Sequence, residues 1–184
     1  MKKLKNIKVL TTCAMLVALA VILAFLKIPV NQFIELRFDS LPIALAGYLF
    51  GPAVGGIVGG ITDIAGYIVR PTGAFFPGFT VSAIVAGVIY GIVLHGKKAT
   101  VLRVFIAQLL RTVVVGLLLN PLWLSILYGN SFLVIMSGRL LTEAIMLPIK
   151  TALLFAVIKP ANIFNEHFDP FGTVLPHSEK SPHL

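Results

Sequence analysis

The sequence predicts an all-α integral membrane protein: a bundle of six transmembrane helices, the second of them short, with both termini on the cytoplasmic side. Composition carries the class. Of 184 residues, 58% are hydrophobic and only 12% are charged, and the mean hydropathy is +0.97. A soluble domain carries roughly 25% charged residues, so too little polar surface is left here to cover a globule in water, and a soluble enzyme or a disordered chain is excluded. Length carries the helix count. A crossing of ~30 Å of hydrocarbon takes ~20 residues, so the chain has room for about six helices with short loops and none for a soluble domain. Charge carries the orientation. The formal net charge is +8, and its lysines and arginines sit at helix ends or singly inside apolar runs, as topology signals do and as a nucleic-acid face does not.

Residues 9–26 form an uninterrupted apolar run long enough to span, behind Lys2, Lys3, Lys5 and Lys8. No cleavage site follows, so the run reads as a retained first helix rather than a signal peptide. Cys13 is the only cysteine, which excludes an intramolecular disulfide, and its apolar run lies on the wrong side for a lipoprotein box. Residues 27–40 are a mixed loop with Lys27, Pro29, Glu35, Arg37 and Asp39. Residues 41–69 are apolar but broken by Phe50-Gly51-Pro52, a strong helix interruption. Reading two helices here places Lys97, Lys98, Arg103 and Lys159 on the same side as the N-terminal lysines, in accord with the positive-inside rule. The cost is a second helix, residues 41–50, of only ~15 Å, which needs its flanks or spans partly.

The loop 70–78 (RPTGAFFPG) precedes a helix over 79–94. The turn His95-Gly96-Lys97-Lys98 leads to a helix over 101–119. A loop over 120–131 holds Pro121 and Trp123, and the last helix covers 132–158. The domain therefore occupies residues 1–160, and the polar, proline-containing tail 161–184 is expected to be cytoplasmic and mobile. Loops 27–40, 70–78 and 120–131 all fall on the outer side, which suits capture of a ligand from outside. No internal repeat of the kind found in inverted-repeat carriers is evident.

The chemistry-bearing residues are few. Asp63 is the only acid between residues 41 and 69. A carboxylate inside a membrane helix is a functional candidate by default; it could accept two ligand N–H groups or form a buried ion pair with Arg111 or Arg139. Arg139 and Glu143 lie at i, i+4 and can face each other, either as a ligand anchor with its support or as a structural pair. Arg111 is open in the same way, and Lys150 is either structural or partner-facing. Lys27, Arg37 and Arg70 outweigh Glu35 and Asp39 at the mouth. Beside Phe75, Phe76, Phe79, Trp123 and Tyr128 they suit a flat anionic ligand, although such aromatics also form interfacial belts. Ala14 and Ala18 form a small-xxx-small pair that would admit a partner helix, but Ala20 and Ala24 repeat the spacing on the other side. No GxxxxGK[ST] occurs, so any ATP-driven work must come from a partner. No residues have metal-ligand spacing, no nucleophile–base pair is evident, and neither catalysis nor a cofactor is expected.

The Lys-rich start with Ala14-Met15-Leu16-Val17-Ala18, Phe50-Gly51-Pro52, DIAGYIVRPTGAFFPGFT at 63–80, Asn120-Pro121-Leu122-Trp123-Leu124-Ser125 and Ser137-Gly138-Arg139 resemble one family. They are similar to the substrate-binding S components of the energy-coupling factor (ECF) vitamin transporters, the folate-specific branch above all, over roughly residues 5–160. The resemblance implies a six-helix fold with an outward vitamin site, no catalysis, and a complex with a coupling transmembrane subunit and two ATPases in the bacterial cytoplasmic membrane. It implies a folate site drawing on Asp63, Phe76, Gly78, Thr80, Asn120, Trp123 and Arg139, with Ala14 and Ala18 facing the coupling subunit. Arg37 and Arg70 are added on physical grounds, for folate's carboxylates. The alternatives are an S component for another vitamin or precursor and a partner-independent secondary carrier.

Overall fold

The computed structural model of the chain describes residues 7–25, 28–31, 34–36, 38–71, 75–97, 100–129 and 131–168. Lys2, Lys3, Lys5, Lys27, Arg37, Lys98 and the tail from residue 169 lie outside them. Within them the chain forms α1 (Ile7–Phe25), a two-stranded antiparallel hairpin of β1 (Ile28–Asn31) and β2 (Ile34–Leu36), α2 (Ser40–Phe50), α3 (Pro52–Val69), α4 (Pro77–Leu94), α5 (Val101–Tyr128) and α6 (Phe132–Phe168). Five of these helices are long and apolar enough to cross a membrane, and α2 is the shorter sixth. The all-helical membrane bundle expected from composition is what the chain forms; the small hairpin lies inside the expected loop 27–40.

Two expectations are corrected. Residues 120–128 are helical, not loop, and α5 continues unbroken through Tyr128. Pro121 stands inside this continuous helix, where it removes one backbone hydrogen bond without ending the helix. A change of helix type just before it, described below, accommodates the ring. The last helix also runs past residue 158 to Phe168, through Pro148 and Pro160, because a proline removes one helical hydrogen bond without necessarily ending a long helix.

Packing divides the bundle into halves. One end carries the 70–76 connection and the hairpin (the loop end), the other carries His95, Gly96 and Lys97 (the basic end). The main core, with Val9, Leu16, Phe50, Val58, Tyr90, Leu94, Val104 and Leu154, draws on all six helices and lies towards the basic end. There α2 and α3 are joined by Gly51 alone, at φ 96°. That left-handed conformation suits glycine, and His95 packs against it while its Nδ1 lies 2.9 Å from the Tyr48 carbonyl oxygen. Towards the loop end α2 is missing. At 11 residues it is ~16 Å long, about half a crossing, so the bundle is left open above its first residue, Ser40.

Helices α2, α3 and α4 pack backbone to backbone. A Cβ added to Gly55 would lie 2.7 Å from the Gly87 carbonyl oxygen and 2.8 Å from Gly47 Cα. Neither neighbour can give way without moving a helix. Gly55→Ala is therefore expected to destabilise the fold by about 1–3 kcal/mol, the cost of overpacking a close-packed interior. A lower melting temperature in detergent checks this; an unchanged one would mean that these helices separate freely. On the outside of α3, Ile57, Ile61, Ile64 and Ile68 form an exposed stripe at helical spacing, an apolar face suited to lipid.

Candidate functional site

The opening above the short α2 is a cavity. Asp39, Ser40 and Ile43 form its floor from α2 and the residue before it. Asp63 comes from α3, Phe79, Ser82, Ala83, Ala86 and Tyr90 from α4, and Arg111, Val115 and Asn120 from α5. The α4 residues recur at i, i+3, i+4, i+7 and i+11, so one stripe of that helix is the cavity wall. The cavity volume is about 60 Å³, within a void of about 480 Å³ that is open to solvent. Ligand pockets run ~300–1,000 Å³, so the cavity as it stands is smaller than a vitamin-sized ligand needs, and the open void around it is of that size.

An aromatic cluster adjoins the cavity through Phe79. Phe76 lies 5.7 Å from Trp123, tilted at 50°, and 6.1 Å from Phe79, edge to face. The Trp123 indole N–H donates to Ser82 Oγ at 3.0 Å, which ties the indole to a residue of the cavity wall. Gly78 makes room for the pair, since a Cβ there would stand 2.5 Å from both Phe76 Cε1 and Trp123 Cδ2. Rings at this spacing and tilt attract one another, and a flat ligand can replace one face of such a contact with its own.

The polar groups sit alongside. The Thr80 hydroxyl donates to Asp63 Oδ2 at 2.9 Å, which orients the carboxylate. Tyr90 is fully buried and its hydroxyl donates to Gln108 Oε1 at 2.7 Å. On the α5 side, Arg111 Nη1 lies 3.8 Å from Glu143 Oε1, and Lys150 Nζ lies 3.2 Å from Glu143 Oε2. One carboxylate thus faces two cations, while Asp39 and Asp63 line the same cavity as Arg111, so acids and bases alternate around it. Among the described residues no group of three His, Cys, Asp or Glu is placed to hold a metal ion.

Of the residues singled out from sequence, Asp63 and Asn120 line the cavity itself. Thr80, Phe76, Gly78 and Trp123 surround it through the contacts just given. Arg139 is half-buried on α6, one turn from Glu143 towards the loop end, and Arg70 is exposed at the end of α3; neither is among the lining residues. Arg37 lies outside the described residues. Lys150 is tied to Glu143 inside the bundle. Asp39, Ser40, Ser82 and Tyr90 join the site without a sequence signal of their own, and Arg111, ambiguous in sequence, is a lining residue. The one usable signal for Ser82 and Tyr90 is collective: the α4 stripe, whose small and polar positions share one helical face. Asp39 and Ser40 become site residues only because α2 starts in mid-bundle.

On α1, Val9, Cys13, Leu16, Ala20 and Ala24 face the core, while Ala14 and Ala18 are exposed on the other side. The two small-xxx-small pairs are thereby told apart: one packs inward and the other faces out.

Comparison with known proteins completes the picture. The family model of the ECF transporter substrate-specific component matches residues 8–158. The chain belongs to this family. This S component is 40% identical over 157 residues to a folate transporter FolT of Clostridium novyi (strain NT), covering 85% of the chain and 91% of that relative. Its fold matches a crystal structure of FolT bound with folic acid, with a TM-score of 0.74, 32% identity, and coverage of 86% and 92% of the two chains. It also shares the fold of the S component of a bacterial ECF transporter, with a TM-score of 0.65 at 24% identity over 87% and 98%. The S component is a multi-pass membrane protein.

Proposed function

We propose that this S component captures folate with high affinity from outside the cell and delivers it to an ATP-driven ECF complex in the bacterial cell membrane. The observation that carries the substrate is the Asp63–Thr80 pair beside the Phe76–Trp123 pair. A pterin edge carries adjacent N–H donors, and an ionised carboxylate oriented by Thr80 accepts them as charge-assisted bonds. Asn120 offers both a donor and an acceptor to the rest of that edge, and the aromatic pair takes the ring face. Folate's carboxylates then point towards the mouth, where Arg70 stands at the end of α3, with Arg139 on α6 and Arg37, outside the described residues, as the further cations expected to meet them. The relatives named for folate transport support the same vitamin.

The chain carries binding and no engine, so the energy comes from partners: a coupling transmembrane subunit and two ATPase subunits. Ala14 and Ala18 are the docking face on α1, because exposed small residues let a partner helix approach closely.

Trp123 is the only tryptophan, so its fluorescence reports on the site directly. Titrating the purified protein with folate is expected to quench it saturably, whereas a flavin and biotin at the same concentrations leave it unchanged. Quenching by the flavin and none by folate would assign the site to another vitamin.

A further inference from the structure

Helix α5 is not one kind of helix. It is α-helical over Val101–Arg111, a π-helix over Thr112–Leu119, and α-helical again over Asn120–Tyr128. The Thr112 N–H bonds to the Gln108 and Leu109 carbonyls, but the Asn120 N–H reaches the Val115 carbonyl, five residues back. Runs of π-helix are rare and concentrate at functional sites. Here the wide turn lies between cavity residues. Arg111, Val115 and Asn120 all line the same cavity, at spacings of four and five.

An α-helix turns about 100° per residue, so nine residues of it would put Asn120 about half a turn away from Arg111. Twelve would put Trp123 about a third of a turn away. The π-turn takes up about one residue; eleven residues of α-helix return Trp123 to the face of Arg111, and eight bring Asn120 within about a quarter turn of it. The next residue supplies the cause. Pro121 is fully buried, has no N–H to give, and its ring would strike the carbonyl four residues back in a regular α-helix. A widened turn before it removes that clash.

We propose that Pro121 is a positioning residue of the vitamin site: by enforcing the π-turn over Thr112–Leu119 it brings Asn120 and Trp123 round to the side of α5 that carries Arg111. This rests on reading the cavity as the vitamin site. The geometric half is independent of that reading, because Trp123 and its bond to Ser82 report the phase of the helix without any ligand.

The test restores the phase by a second route. Pro121→Ala lets α5 relax to α-helix and turns Trp123 off the cavity wall. Deleting Leu118, which is 52% exposed on the outer face, from the Pro121→Ala protein removes the extra residue and brings Trp123 back. Quenching of Trp123 by brominated lipid in nanodiscs is expected to rise severalfold in Pro121→Ala and to return to the wild-type level in the double variant. Folate affinity is expected to fall at least tenfold and to recover in parallel. A Pro121→Ala protein too unstable to purify beside a double variant that purifies is the same result. Wild-type quenching in Pro121→Ala, or a double variant in which Trp123 stays exposed to lipid or which does not fold, overturns the proposal. Rescue of quenching without folate binding by any of the proteins, wild type included, leaves the positioning intact and removes the folate assignment instead.

Discussion

Asp63→Asn is expected to lower folate affinity by about a hundredfold or more and to leave the melting temperature equal or higher. The side chain keeps its size, and its amide can still meet the Thr80 hydroxyl that now donates to Asp63 at 2.9 Å. What changes is the face turned to the ligand. An ionised carboxylate only accepts, and an amide also donates, so at least one of two pterin N–H groups meets a donor. Bonds to a charged group contribute ~1.5–3 kcal/mol each. One bond is replaced by a donor–donor contact and the other loses its charge assistance, a combined cost of about 3 kcal/mol or a hundredfold in affinity. Stability moves the other way, because a charged aspartate in a membrane helix costs about 2.5–3.5 kcal/mol on insertion scales. Isothermal titration and a thermal melt on the same sample separate the readings. An affinity within threefold of wild type together with a lower melting temperature would make Asp63 a structural residue.

The double variant Ala14→Trp, Ala18→Trp is expected to bind folate as wild type does and to lose uptake almost entirely. Both alanines are exposed on α1, opposite the stripe of Cys13, Leu16 and Ala20 that packs on the core. An indole at either place therefore meets nothing inside the bundle. It does fill the gap through which a partner backbone approaches at a small-xxx-small surface. Uptake of labelled folate in cells carrying the coupling subunit and ATPases, measured beside folate binding by the purified variant, checks both halves. Undiminished uptake would place the docking face elsewhere. The inward pair is the control: Ala20 is wholly buried, and Ala20→Trp is expected to destabilise the fold itself.

The bundle was legible because composition and apolar run length are properties of the solvent it lives in. The break at Gly51-Pro52 was equally plain, since proline and glycine act on the backbone locally. The loop expected over 120–131 is helical up to Tyr128, although Asn120, Pro121 and Gly129 all signal irregular chain. Pro121 instead stands inside the helix, because the preceding residues could widen. Asp63, as a lone acid in an apolar run, announced itself. Ser82 and Tyr90 did not, because their role depends on which face of α4 meets the cavity. That is decided by the backbone contact of Gly55 with α2 and α4, a tertiary fact. Arg111 and Glu143 could be paired only once α5 and α6 were side by side.

Titration calorimetry of the purified chain with folate, in detergent, without partner subunits or ATP, tests the central claim most directly. A single site per chain with a sub-micromolar dissociation constant, beyond about −8 kcal/mol, is the predicted result. The absence of any saturable folate binding by a protein that still melts cooperatively would contradict it.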